Sequence, residues 1–117
     1  MASLSNSAKL DLAGIAGRSG LAFHWCTSLP ANRAAALTAS AANKSAPGVT
    51  VGADKVTIDA ISDGTITGND TAVSHWALID GTELIAAGSL SSSQTVYTGN
   101  TISVTAIDIT PGSVTES

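Results

Sequence analysis

The residues best suited to chemistry are His24 and Cys26, which lie two positions apart in the segment Gly20–Ser28. On a strand they would share one face, and a histidine next to a thiol can generate a thiolate nucleophile. Nothing nearby in the sequence supplies the remaining catalytic groups. A small buried cysteine beside a structural histidine is therefore the preferred interpretation.

The same two residues and His75 could also be considered as metal ligands. Such a site would need a fourth ligand or an open coordination position. The sequence contains neither an H-x-x-H nor a C-x-x-C spacing. We therefore expect neither a metal centre nor any other cofactor.

Several aspartates stand at turns, where they could serve acid–base chemistry or bind calcium. Asp63 and Asp80 each precede a glycine, and Asp70 lies in a Gly-Asn-Asp-Thr turn; Asp59 completes the set. Short carboxylates at such positions usually bond to their own turns, and the D-x-[DN]-x-[DN]-G calcium loop is absent. The glycines form no nucleotide-binding pattern, and no G-x-S-x-G elbow accompanies the serines.

The chain has four aromatic residues, Phe23, Trp25, Trp76 and Tyr97. Each can bury about 150–250 Å², so we predict that they anchor the core or an interface. His75, which precedes Trp76 as His24 precedes Trp25, joins this set of anchors. The alternative is a sugar-binding platform, which would require Trp25 or Trp76 to be exposed beside an aspartate.

The elements that would position these residues differ between the two parts of the chain. Within an N-terminal region of residues 1–19, helical spacing predicts a short helix over residues 5–17. Gly20–Ser28 alternates in the manner of a strand with one aromatic face. The alanine-rich Asn32–Asn43 predicts a weakly packed helix or an ordered arm, within an arm or loop region of residues 31–53.

Residues 54–110 show a different sequence pattern, in which short β-prone runs are separated by turn dipeptides. This pattern is typical of an antiparallel sandwich or barrel. The strongest hairpin signal joins Ala72–Ile79 to Glu83–Leu90 through Asp80-Gly81, because Asp-Gly tolerates the positive φ angles of a primed turn. Further predictions are a turn at Asp63-Gly64, breaks at Gly68-Asn69-Asp70, Ser91–Gln94 and Gly99-Asn100, and a bulged last strand over Thr101–Ile109.

The composition fits one domain of 117 residues. We predict a mainly β, antiparallel sandwich or barrel-like domain with a short N-terminal helix and an alanine-rich arm or second short helix. Charged residues make up only 12% of the chain, whereas 16 serines and 14 threonines supply hydroxyl groups in their place. The single cysteine, Cys26, excludes an internal disulfide, so subunit contacts are expected to add burial.

Charge and hydropathy argue against two classes of partner. The net charge is −4 and the five basic residues are scattered, which does not favour nucleic-acid binding. No apolar run approaches the ~18–20 residues that span a bilayer. The first residues lack a basic leader, which predicts synthesis in the cytoplasm rather than secretion.

Four pieces of the chain carry a resemblance to a known class of protein. They are Gly20–Pro30, Ser74–Asp80 with its His-Trp-Ala motif, Leu84–Leu90 and Val96–Ile109. In this order, and most closely over residues 70–109, they resemble small structural proteins of tailed bacteriophages. The alanine-rich residues 31–53 depart from the glycine-rich loop that is common in those proteins.

The resemblance implies a non-enzymatic virion protein made in the host cytoplasm. The preferred role is a decoration (cement) protein of the capsid, and the alternative is a tail-fibre, collar or carbohydrate-binding receptor subunit. The implied partners are the major capsid protein or tail subunits. The small core and the open strand edges predict in addition a cyclic oligomer of the chain, with a trimer favoured. Strand edges and the alanine-rich arm would supply the contacts. A small hydrolase that uses Cys26 is the remaining alternative.

Overall fold

The computed structural model describes residues 3–4, 20–51 and 56–109. In these ranges the chain is mainly β, with ten strands and one short helix, and none of its helices is long and apolar enough to cross a membrane. The helix expected over residues 5–17 lies outside the described residues. In chain order the elements are β1 (Ser3–Leu4), β2 (Ala22–Cys26), α1 (Arg33–Ala39), β3 (Ser40–Ser45), β4 (Val49–Val51), β5 (Val56–Ile58), β6 (Ile61–Ile66), β7 (Thr71–Ile79), β8 (Leu84–Val96), β9 (Thr101–Val104) and β10 (Ile107–Ile109).

The strands form two antiparallel sheets. The larger has seven strands in the order β1-β8-β7-β2-β3-β6-β9, and the smaller has the order β10-β5-β4. Gln94 Nε2 on β8 donates to the carbonyl oxygen of Ser103 on β9 at 3.4 Å, although four strands separate β8 from β9 in the order. The larger sheet therefore curls, so that β9 at one end approaches β8 near the other. The predicted mainly β, antiparallel fold is confirmed by the strand pairs, which are all antiparallel in the described residues.

The main core lies on the aromatic face of β2, as the alternation in that strand predicts. Phe23 and Trp25 are fully buried and Trp76 is 2% exposed. The Phe23 ring lies edge-on to Trp25 with centroids 4.8 Å apart, and it stacks on Trp76 at 5.9 Å. Val56 and Ile109 from the smaller sheet belong to the same cluster, so one core joins both sheets.

The turn predicted at Asp63-Gly64 is wrong, because both residues lie inside β6. A Cβ atom at Gly64 would lie 2.6 Å from ring atoms of Trp25 and 2.7 Å from Ile102. Glycine is therefore required by the bulk of the neighbouring indole, and not by a turn. The β6–β9 register also shifts between Ile61 and Gly64.

The β7–β8 hairpin is confirmed, but its connection differs from the expected primed turn. Asp80 Oδ1 accepts hydrogen bonds from the backbone N–H groups of Thr82 and Glu83, each at 2.7 Å. The backbone N–H of Asp80 donates to the Glu83 carbonyl oxygen at 3.0 Å. Gly81 does not have a positive φ angle. A carboxylate that caps a four-residue connection has replaced the two-residue turn.

The alanine-rich stretch divides into two elements. The Asn32 side chain accepts a hydrogen bond from the Ala35 N–H at 2.8 Å and caps α1. The following residues form β3, which pairs with β2 and β6 and buries Ala42. The helix interpretation is therefore correct for Arg33–Ala39, whereas Ser40–Ser45 is neither helix nor arm, because pairing on both edges outweighs helix propensity.

The last strands also differ from expectation. Ser91–Gln94 lies within β8 rather than ending a strand. The single bulged strand expected over Thr101–Ile109 is two strands, β9 in the larger sheet and β10 in the smaller one, so the change in buried face marks a crossing between sheets. The turns at Asp70 and Gly99 are confirmed, with φ angles of 52° and 93°.

Candidate functional site

The face of β2 opposite the aromatic cluster carries His24 and Cys26. Cys26 is fully buried, and its Sγ lies 3.8 Å from the carbonyl oxygen of Ala36 in α1. Burial raises the pKa of this thiol to about 11. The thiol therefore stays protonated near neutral pH, which opposes the nucleophilic role considered for it.

His24 has a different hydrogen-bond partner from that of Cys26. Its Nδ1 lies 2.8 Å from the Ser40 hydroxyl oxygen. Burial, and secondarily the positive charge of Arg33, lower the pKa of His24. This histidine is a hydrogen-bonded structural side chain whose neutral form is favoured.

The register brings the three candidate metal ligands to one face, because Cys26 lies opposite His75 and His24 lies two residues from Cys26. His75 Nδ1 is 2.8 Å from the Ser74 hydroxyl oxygen. Across the described parts of the chain, no three His, Cys, Asp or Glu residues are grouped so that they could hold a metal ion. Shared sheet face alone does not create a metal site.

The Gly-Asn-Asp-Thr corner, considered for calcium, holds a neighbouring loop. Asn69 Oδ1 accepts a hydrogen bond from the Thr98 N–H at 3.1 Å. The Thr98 hydroxyl donates to the Gly68 carbonyl oxygen at 3.2 Å. Two oxygen atoms of this corner are thus engaged by the loop between β8 and β9.

The other candidate carboxylates have partners within the chain. Asp63 pairs with Lys44 at 3.1 Å, in a largely exposed position. Asp59 accepts a hydrogen bond from the Thr50 hydroxyl at 2.7 Å. Asp63 therefore does not bond to its own turn, as the sequence predicted, but to Lys44 on β3, which lies 19 residues away in the chain.

The predicted anchors separate into core and surface residues. Phe23, Trp25 and Trp76 lie in the core, His75 is half-buried, and Tyr97 is 49% exposed. Trp25 Nε1 is buried without a hydrogen-bond partner. Neither indole presents the exposed face that the sugar-platform hypothesis requires.

A groove of about 410 Å³ lies where β8 meets β9 and β10. We call it the serine groove. Five hydroxyl side chains line it together with an amide and several apolar residues. The lining residues are Trp76, Ser89, Leu90, Ser91, Ser92, Gln94, Ser103, Val104, Thr105, Ala106 and Ile107.

The serine groove arises from an irregularity in β8. His75 pairs with Ser89 and Val73 pairs with Gln94, so residues 90–93 of β8 stand opposite Ser74 alone. Such a bulge bends a strand and turns its side chains in new directions. Residues 105 and 106, between β9 and β10, form the opposite wall.

Gly88 lets Trp76 lie beside the serine groove. A Cβ atom at Gly88 would stand 2.9 Å from Trp76 Nε1, closer than side chains tolerate. The indole is thereby held against β8 while it contributes to the groove lining. Sequence reasoning missed this site, and its one local signal was the polar run Ser91–Gln94, interpreted as a break.

A second pocket of about 390 Å³ lies at the start of α1, beside the β7–β8 connection. Arg33 lines it, but the Arg33 Nε–H donates to the Asp80 carbonyl oxygen at 2.9 Å. The guanidinium thus ties the helix to the hairpin. This pocket offers a structural contact and no assembled reactive group.

Comparisons with known proteins identify no relative. No protein-family model, curated protein or solved structure matches the chain. The resemblance to tailed-phage structural proteins accordingly depends on the sequence motifs described above.

Proposed function

We propose that the chain is a non-enzymatic structural subunit of a tailed-phage virion, and specifically a decoration protein that binds the major capsid protein. In this proposal it acts as a cyclic oligomer, with a trimer favoured, and its two sheets form a sandwich or barrel-like domain with an N-terminal helix. A tail-fibre, collar or receptor-binding subunit is the alternative role.

The positions of the four pieces that resemble tailed-phage proteins support a structural, non-catalytic role. β2, β7 and β8, which contain three of them, are adjacent in the larger sheet. Their large side chains Phe23, Trp25 and Trp76 pack on one another. The pieces that carry the resemblance therefore include residues that pack the core. This is expected if the similar proteins share a fold and not a catalysed reaction.

The observation that carries the proposal is the exposure of Tyr97. The other three aromatic residues are buried, whereas Tyr97 is 49% exposed at the turn between β8 and β9. Tyrosine is enriched among residues that dominate protein interfaces, because it supplies a large contact area with few rotatable bonds. An exposed tyrosine in an aromatic-poor chain suits an interface anchor.

The loop that carries Tyr97 is held in place before any partner binds. The Asn100 N–H donates to the Tyr97 carbonyl oxygen at 3.2 Å. The next residue, Thr98, is bonded to Asn69 and Gly68 as described above. Preorganisation of this kind lowers the entropy lost when two surfaces associate.

Low charge and the buried thiol give further support. Only 12% of residues are charged, so closely spaced copies repel one another little. The raised pKa of Cys26 disfavours the hydrolase alternative. Both properties suit a repeated structural subunit.

Two measurements test the proposal. Light scattering at micromolar concentration should give an oligomeric mass, and the protein should co-sediment with undecorated heads of its own phage. Tyr97→Ala should keep the fold and weaken head binding about 30-fold, as for an interface hot spot. Thr95→Ala, at an exposed position nearby on β8, is the matched control and should bind normally.

A strictly monomeric mass together with failure to sediment with heads would contradict the decoration role. Sedimentation with isolated tails instead of heads would select the alternative role. Equal head binding by Tyr97→Ala and the parent protein would remove Tyr97 as the anchor.

A further inference from the structure

We propose that the serine groove is a binding site for a neutral saccharide of one or two rings. This inference concerns a surface separate from the Tyr97 loop and goes beyond a structural role. It follows from the charge, the hydrogen-bonding groups, the apolar lining and the backbone geometry of the groove.

Charge defines the ligand class first. None of the eleven residues that line the serine groove is Asp, Glu, Lys, Arg or His. Removing a charged ligand group from water is costly unless an opposite charge or several hydrogen bonds replace the water. A groove without charged residues therefore favours a neutral ligand over a phosphate, a carboxylate or an amine.

The hydrogen-bonding groups indicate what kind of neutral ligand fits. Serine and threonine hydroxyls each donate one hydrogen bond, accept others and rotate to suit the partner. Ser89, Ser91 and Ser92 of β8 line the groove, and so do Ser103 of β9 and Thr105. A polyhydroxylated ring, whose own groups both donate and accept, matches a lining that contains five such residues.

The apolar part of the lining complements the same ligand. Leu90, Val104 and Ile107 are half-buried and supply the accessible apolar part of the lining. Trp76 also lines the groove but is only 2% exposed. Sugar rings have C–H surfaces as well as hydroxyl groups, so a mixed lining can contact both. The volume of about 410 Å³ lies within the ordinary range of small-molecule sites.

Backbone geometry disfavours the other neutral occupant, an added peptide strand. Strand addition uses a regular ladder of main-chain groups along an exposed edge. Here one wall is the bulge at residues 90–93 and the other includes residues 105–106, which belong to neither β9 nor β10. The Ser103 carbonyl oxygen is also already bonded to the Gln94 side chain. Hydroxyl groups, and not a ladder, therefore dominate the groove.

Titration of the isotope-labelled full chain with maltose, cellobiose and lactose, followed by ¹H–¹⁵N NMR, tests the proposal directly. At least one disaccharide should give saturable shifts confined to residues 88–94 and 103–107, with Kd below about 10 mM. Glucuronate and glucosamine, the charged controls, should bind more weakly than glucose.

Two neighbouring serines offer matched variants. Ser92 lines the groove, whereas Ser93 is exposed beside it and is not part of the lining. Ser92→Ala should weaken saccharide binding about 3- to 10-fold through the loss of one hydrogen bond, and Ser93→Ala should leave it unchanged. Both sites are on the surface, so both variants should fold.

Three outcomes would overturn the proposal. One is the absence of saturable shifts with all three disaccharides, and another is equal binding by Ser92→Ala and the parent protein. The third is a set of groove shifts that appear on raising the protein concentration without sugar, which would assign the groove to a second copy of the chain. None of these results bears on head binding through Tyr97, so the two proposals fail separately.

Discussion

Both faces of β2 carry buried side chains, but the two faces are packed by different means. On one face, Phe23 and Trp25 pack against Trp76, and Gly64 leaves room for an indole ring. On the other, Cys26 joins a cluster of smaller side chains under α1, and His24 bonds to Ser40.

The difference shows how one strand can serve two kinds of core. The aromatic face depends on volume, because each large ring must find a recess of matching shape. The opposite face depends on polar partners, because burial favours the neutral form of His24 and its ring nitrogen is bonded to Ser40. Substitutions should therefore act through cavities and clashes on the first face and through protonation on the second.

The largest effect is expected at the centre of the aromatic face. Trp76→Ala should lower the free energy of unfolding by about 3–5 kcal/mol, because it leaves a cavity between Phe23 and β8. Urea denaturation measures the change. Tyr97→Ala is the control and should cost less than about 1 kcal/mol at its exposed position. A similarly small loss for Trp76→Ala would show that the indole is not a core group.

A smaller effect is expected at the recess on the same face. Gly64→Ala should cost about 1–3 kcal/mol, because the new methyl group would displace Trp25 or Ile102 in a packed core. Thr65→Ala, at the next and exposed position of β6, provides the comparison in the same denaturation assay. Equal stability of these two variants would mean that the core accommodates the methyl group without strain.

The smallest effect is expected on the opposite face and depends on pH. Because the folded-state pKa of His24 is lowered, the unfolded chain binds the proton more tightly, so protonation favours unfolding. The contribution of neutral His24 to the free energy of unfolding is fully present above the unfolded-state pKa of about 6.5. This contribution is lost as the pH falls from there towards the folded-state pKa. Urea midpoints measured between pH 8 and pH 5 should fall less steeply for His24→Gln than for the parent protein. Parallel pH profiles would contradict this assignment.

Local sequence patterns predicted the elements whose formation depends on nearby residues. The alternation in β2, the β7–β8 hairpin and the turns at Asp70 and Gly99 all agree with the structure. Each arises from side-chain period or turn chemistry within a few residues. Such signals are independent of what the segment later packs against.

Local sequence patterns gave wrong predictions where the conformation of a segment depends on residues distant in the sequence. Gly64 was mistaken for a turn residue because its requirement comes from Trp25 on another strand. Ser40–Ser45 was expected to continue a helix or arm, although β2 and β6 hold it as a strand. The serine groove was missed because the curl of the larger sheet brings its walls together.

The sequence by itself determined a mainly β chain with little charge, no internal disulfide and several turn positions, because composition and short-range periodicity carry that information. Only the tertiary structure decided which aromatic residues are buried, which glycines make room for rings and which hydroxyl-bearing residues come together to line one groove. These features depend on strand register and sheet curvature. Register and curvature emerge when distant segments pair, so no single stretch of the chain encodes them.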